Sequence, residues 1–220
     1  MNKSISKLIT KNSNDLYIYI NNNRDLIKYK SLTITRKDIL KRLFRQIETA
    51  YLHKPQVIKP TIYYKQRLPV ENYIPKMIRE DINENYTHVH ETIYKYGLRD
   101  ISVKLYNNKK IDTTTISNIL AKINMWMFIA TTNAVNVCSD KLDIHIYFTE
   151  HKKIMPHNNN QVDRINANTA YTTSCKPETD IHIYRSEEWF KVLIHETFHS
   201  LGLDFSTMDD DISNRRLQEI

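Results

Sequence analysis

Only two glycines, Gly97 and Gly202, occur in 220 residues. Glycine is the residue that enters left-handed backbone conformations without a steric penalty, so this chain must build nearly all its turns another way. Asn, Asp and Ser side chains can bond to nearby backbone and take over that role, as at Asn21-Asn22-Asn23, Asn107-Asn108 and Asn158-Asn159-Asn160. The two glycines then mark places of interest. Gly97 follows an equivocal segment, and Gly202 stands three residues after the histidine pair His195 and His199.

Hydrophobic periodicity divides the chain between these marks. Residues 32–52 predict a helix, with Leu40, Leu43, Phe44 and Ile47 on one face and Lys41, Arg42 and Arg45 opposite. Pro55, Pro60, Pro69 and Pro75 exclude a helix over residues 53–75 and predict an extended connector, with a domain boundary near residue 70. Residues 73–99 are equivocal, with a helix over 86–96 ending at Gly97 as one reading. Ile101, Val103 and Leu105 alternate as a strand. Asp112 or Thr113 caps a long helix running through Ile116, Leu120, Ile123 and Met127 to the neighbourhood of Ala134. Residues 143–150 and 166–174 predict strands. Ile181-His182-Ile183-Tyr184 predicts another, echoing Ile144-His145-Ile146-Tyr147. A final helix spans 187–201. This order predicts an α+β fold: a small mixed sheet, a long backing helix and a last helix carrying the chemistry.

Composition limits the classes. Apolar residues at 40% and charged residues at 26% describe a globular chain rather than a disordered one. The net charge of +7 is uneven, because residues 1–70 hold 15 Lys and Arg against 4 Asp and Glu, and residues 71–220 hold 17 against 21. A basic region over 1–70 thus precedes a mildly acidic domain over 71–220. The basic region fits an anionic partner such as nucleic acid, or a solvated face that carries no function; no helix-turn-helix spacing or aromatic stacking motif accompanies it. Cys138 and Cys175 make neither a zinc-ligand pair nor a disulfide framework, which predicts free thiols in a reducing cytosol. Residues 1–11 lack the apolar core of a signal peptide, and the most apolar window, 125–137, is too short to span a bilayer. The expectation is a soluble protein with no membrane partner that is not secreted.

The most specific feature is His195-Glu196-Thr197-Phe198-His199. Ser186 reads as the N-cap of its helix, with Glu187 and Glu188 at the positive end of the helix dipole. Phe190, Leu193, Ile194, Thr197, Phe198 and Leu201 supply the apolar surface. Side chains four apart on a helix lie on one face, so His195 and His199 can close on one zinc ion. Glu196 stands beside that ion as the general base for a zinc-bound water. Nine histidines make the bare pattern only suggestive; the apolar strand before it and Gly202 after it raise its weight. His88 and His90 share one face of a strand and read first as surface polar residues rather than a second metal site; His145 and His182 sit among isoleucines and read first as satisfied strand histidines rather than groups acting near the active site. Tyr171 is a further candidate, for stabilising an oxyanion.

The segment 180–206, DIHIYRSEEWFKVLIHETFHSLGLDFS, together with 166–175, resembles the zincin superfamily of metallopeptidases, and within it metallopeptidases of large nucleocytoplasmic DNA viruses. The abundance of Asn, Ile, Lys and Tyr, which AT-rich codons specify, agrees with such a source, and host cytoplasm or virion would then be the location. The resemblance covers about residues 140–206. It implies a zincin-like domain, Zn2+ as cofactor, His195 and His199 as ligands, Glu196 as catalytic base, and a polypeptide substrate. It also implies an edge strand, Asn168, Thr169, Ala170 and Tyr171, that pairs with the substrate backbone. Two departures stand out. The spacing resembles the metzincin branch, yet Phe205 occupies the third-ligand position. Asp204, Glu219 or one of Asp209, Asp210 and Asp211 is left to complete the site, unless another chain does so or the domain is C-terminally truncated and inactive. Three functions follow as expectations: a zinc metallopeptidase, a DNA-associated SprT-like protease, or a non-catalytic interaction protein on a zincin scaffold.

Overall fold

The computed structural model describes residues 34–65, 73–135, 137–154 and 164–204. The chain divides into two compact units, residues 1–45 and 46–220. The elements in chain order are α1 (Ile34–Leu52), β1 (Gln56–Lys65), α2 (Lys76–Asn85), β2 (His88–Tyr96), β3 (Arg99–Asn107), α3 (Thr113–Asn133), β4 (Lys141–Tyr147), α4 (Arg164–Ala167), β5 (Ala170–Thr172), β6 (Glu178–Ile183) and α5 (Trp189–Ser200). The six strands form one sheet in the order β1-β2-β3-β4-β6-β5. Strands β3, β4 and β6 run parallel, and the other pairings are antiparallel. The fold is α+β, as expected.

Alternation along the strands separates two faces. On one, Ile144, Ile146, Ile181 and Ile183 join Val103, Leu105, Leu120, Ile123, Met127 and Leu193 in the main core under α3 and α5. Each isoleucine so buried contributes about 1.5–3 kcal/mol relative to exposure. On the other face, Ile78 and Ile82 of α2 pack on Val89, Tyr106, Tyr147 and Tyr184. The echo between the two Ile-His-Ile segments has a structural meaning: β4 and β6 are adjacent and in register, with Ile144 opposite Ile181, His145 opposite His182 and Ile146 opposite Ile183. Asp112 caps α3 as expected, its carboxylate accepting from the Thr115 N–H at 2.8 Å.

Four expectations need correction. Residues 86–96 form no helix: His88–Tyr96 is a strand, and Gly97, at φ +62°, turns the chain into β3. The proline-rich connector contributes β1, which pairs with β2, so the sheet reaches back across the boundary placed near residue 70. Pro60 is tolerated there because β1 is an edge strand whose register slips between Lys59 and Ile62. The strand placed over 166–174 shortens to Ala170–Thr172, preceded by the helical turn Arg164–Ala167. Finally, Cys138 and Cys175 are not free thiols. The α3–β4 and β5–β6 loops bring their Cα atoms to 4.8 Å, and they form a disulfide across a sequence separation of 37. Cysteine usage therefore no longer argues for a reducing compartment. No helix among the described residues is long and apolar enough to cross a membrane.

Candidate metal centre

Helix α5 begins at Trp189, two residues later than expected, with Glu188 in the left-handed conformation at its N-cap and no side-chain capping bond. Ser186 is instead drawn to the preceding segment, its N–H donating to the Thr149 carbonyl at 3.0 Å. The buried stripe of α5 is Leu193, Thr197 and Ser200. Trp126 of α3 reaches across to this stripe, its indole Nε1–H donating to Thr197 Oγ1 at 2.8 Å while its ring stacks on Phe198. These contacts fix the rotation of α5 and leave His195 and Glu196 turned away from the core.

At the other end, Gly202 adopts φ +64°. The Leu203 N–H donates to the Phe198 carbonyl at 2.8 Å and the Gly202 N–H to the His199 carbonyl at 3.4 Å, the paired bonds that close a helix through a left-handed residue. A Cβ at position 202 would lie 2.8 Å from Cys138 Sγ and 3.1 Å from Val135 Cγ2. Only glycine satisfies both the torsion and the space.

His195 and His199 project from one face, as their spacing predicts, with ring planes at 82° and Nε2 atoms 3.3 Å apart. Two nitrogens bound at about 2.0–2.1 Å to a tetrahedral ion are separated by about 3.3–3.4 Å, so the pair fits zinc in donor type and in spacing. The Glu196 side chain is half-buried, and burial raises its pKa while the two imidazoles pull it back. It lines the same cleft as His195.

That cleft, of about 340 Å³, runs between α5 and the chain entering β5. Asn168, Thr169 and Ala170 form one wall; Val192, His195 and Glu196 form the other. β5 is the edge of the sheet. The Thr169 carbonyl accepts from the Tyr184 N–H, and the Thr173 N–H donates to the Asp180 carbonyl. Residues 169, 171 and 173 thus turn their main chain toward β6, and alternation turns that of Ala170 outward. Tyr171 is a correction: its ring lies on the opposite face, stacked on His182 at 4.7 Å and beside Tyr73 at 5.2 Å. Strand alternation takes it away from the cleft and from any oxyanion role.

Asp204 stands beside the pair in a way that spacing did not reveal. Its carboxylate accepts from His199 at Nδ1, the ring nitrogen remote from His195. It therefore orients the imidazole, as carboxylates commonly do behind a metal-bound histidine, rather than meeting the two Nε2 atoms. Glu219, Asp209, Asp210, Asp211 and Phe205 lie outside the described residues, as does most of the basic region over 1–70. Among the described residues no group of three or more His, Cys, Asp or Glu converges to hold a metal ion.

Arg185 was missed by sequence reasoning. It is 1% exposed, and its guanidinium donates to the carbonyls of Asn168 (3.0 Å), His151 (3.1 Å) and Ile165 (2.5 Å). It ties β6 to the cleft wall and to the loop after β4. A single arginine after an apolar strand carries no sequence signal for this.

Protein-family models, curated proteins and solved structures were all compared with the chain, and none matches.

Proposed function

We propose that this chain is a zinc-dependent metallopeptidase of the zincin kind. The observation that carries the reading is the 3.3 Å approach of His195 and His199 Nε2, with His195 lining a cleft whose far wall leads into the edge strand of the sheet. Zinc held by this pair would supply Lewis acidity, polarising a carbonyl and making water acidic near neutral pH. His199 is oriented for the task by Asp204. An extended substrate would add to the outer edge of β5, taking main-chain hydrogen bonds from Ala170 while Asn168 and Thr169 flank it. Glu196 Oε would accept a proton from the attacking water and return it to the departing amine nitrogen. Its partial burial suits this, because a carboxylate with a raised pKa moves a proton more readily near neutral pH.

The test has two measurements. Protein purified with zinc present should carry about one ion per chain, and a quenched peptide library should reveal turnover. Glu196→Gln should lower that turnover by about 10²–10⁴-fold and leave zinc content unchanged. Protein that takes up no zinc under these conditions ends the proposal.

A second reading, a zinc-binding interaction protein that does no chemistry, is favoured by one observation: only two metal-ligating side chains converge among the described residues. Zinc uptake without turnover of any peptide would select it. The DNA-associated variant rests on the charge of residues 1–70 alone, and loss of DNA binding with rising salt is its signature.

A further inference from the structure

The last carbonyls of any helix lack partners within it. In α5 three consecutive ones at the C-terminal end are capped from outside. The Cys175 N–H donates to the His199 carbonyl at 3.1 Å, the Ser139 hydroxyl to the Ser200 carbonyl at 2.7 Å, and the Val135 N–H to the Leu201 carbonyl at 3.1 Å. Two of these donors, with Cys138 between them in sequence, come from the α3–β4 loop; the third is the backbone of Cys175 in the β5–β6 loop. The disulfide joins the two loops directly behind this turn. Cys138 Sγ is also the atom against which Gly202 closes. The turn being gripped carries His199 on one side and leads to Asp204 on the other.

We infer that the Cys138–Cys175 disulfide is a redox-responsive clasp on the metal-binding helix, whose reduction loosens the turn carrying His199 and weakens zinc binding. This rests on the metal reading above. The two sulfurs differ in access: Cys138 is fully buried, whereas Cys175 is partly exposed and flanked by exposed Ser174 and Lys176. A dithiol reductant therefore attacks Cys175 Sγ. Its thiolate forms a mixed disulfide there, and the Cys138 thiolate leaves and takes up a proton. The reductant's second thiol then resolves the mixed disulfide, freeing Cys175 as a thiol and leaving the reductant as a disulfide, two electrons having passed to the protein. Reduction acts locally, because the loops keep other ties: the Ser139 N–H still donates to the Lys176 carbonyl at 2.6 Å, and the Lys141 N–H to the Pro177 carbonyl at 3.0 Å. What is lost is the constraint that holds the capping donors to the helix end.

Three forms of the full chain decide the matter: oxidised protein, protein reduced with a phosphine and desalted without air, and the variant Cys138→Ala/Cys175→Ser. Zinc alone is titrated into each against a chromophoric chelator, and amide hydrogen exchange is followed over residues 195–203. The expected result is zinc affinity about 10–100-fold weaker in both the reduced and variant forms, the range typical of losing support behind a metal ligand. Exchange quickens at 199–203 and stays unchanged in β3, β4 and β6. Equal affinity in oxidised and reduced protein overturns the clasp while leaving the metal centre standing. Reduced protein that binds zinc more tightly than the variant also overturns it, since the thiols would then be ligands. Faster exchange throughout the sheet overturns it as well, showing a global effect. If no form binds zinc, the metal reading itself has failed and the clasp goes with it.

Discussion

The histidine pair on strands β4 and β6 and the pair on helix α5 differ in almost every respect that matters. His145 and His182 stand on neighbouring parallel strands at the same register. Side chains so placed rise from the sheet about one strand spacing apart, and their rings stack face to face, 4.3 Å between centroids and 2° from parallel. Three of their nitrogens have partners in the fold: His145 Nδ1 the Tyr106 hydroxyl at 2.8 Å, His182 Nε2 the Asp180 carboxylate at 3.0 Å and His182 Nδ1 the Tyr147 hydroxyl at 3.4 Å. His195 and His199 stand four apart on a helix, which tilts their rings edge to face and brings two nitrogens together, with His195 lining a cleft. The strand pair is held by neighbours within the fold. The helix pair turns its two Nε2 atoms toward each other, and that is the arrangement a metal ion would complete.

The contrast can be broken most directly by removing each pair. His195→Ala/His199→Ala should lower zinc affinity by more than the roughly 10–100-fold expected for loss of a supporting residue, with the circular dichroism spectrum unchanged. His145→Phe/His182→Phe should leave zinc affinity within about twofold. Zinc titration of both variants checks this, and comparable losses would erase the distinction.

Asp204→Ala sharpens it. A carboxylate that orients His199 from Nδ1 should cost about 10–100-fold in zinc affinity on removal. A loss as large as that of the double histidine variant would show that Asp204 ligates the metal directly.

The last prediction concerns acid. Burial, with His182 and Lys104 adding to it, pushes the His145 pKa from 6.5 down to about 2. The unfolded chain therefore binds this proton before the folded one does, and stability falls as pH drops below about 6.5, by up to about 1.4 kcal/mol per pH unit. Asp180, held down to about 2 chiefly by its bond to His182, adds to the loss below its ordinary 3.8. Chemical denaturation between pH 7 and pH 4 should show this slope in the native protein and a shallower one in His145→Phe. An identical slope in both would mean that His145 is not held neutral.

Much of this contrast was legible in the residues. The spacing of His195 and His199 on an apolar-striped helix places both rings on one face, and Gly202 marks the stop. The repeated Ile-His-Ile segments, noted as an echo, are the in-register strands β4 and β6. What failed did so for identifiable reasons. Residues 86–96 are apolar at short intervals that suit helix and strand alike, and only pairing with β1 and β3 decides between them. The prolines over 53–75 predict only an extended connector, because sequence does not say that part of it pairs as an edge strand.

The sequence by itself determined the geometry inside each element: which imidazoles share a face, that α3 starts at Asp112 or Thr113, and where α5 must end. These follow from bonds and torsions spanning a few residues, which the backbone repeats in any protein. Tertiary structure alone decided that Cys138 meets Cys175, that Tyr171 turns its back on the cleft, that Asp204 takes Nδ1 of His199, and that Arg185 gathers three carbonyls beneath the cleft wall. Each of these depends on which loops and strands come to lie side by side, and that is settled by the burial of the whole apolar surface rather than by the spacing of any few residues.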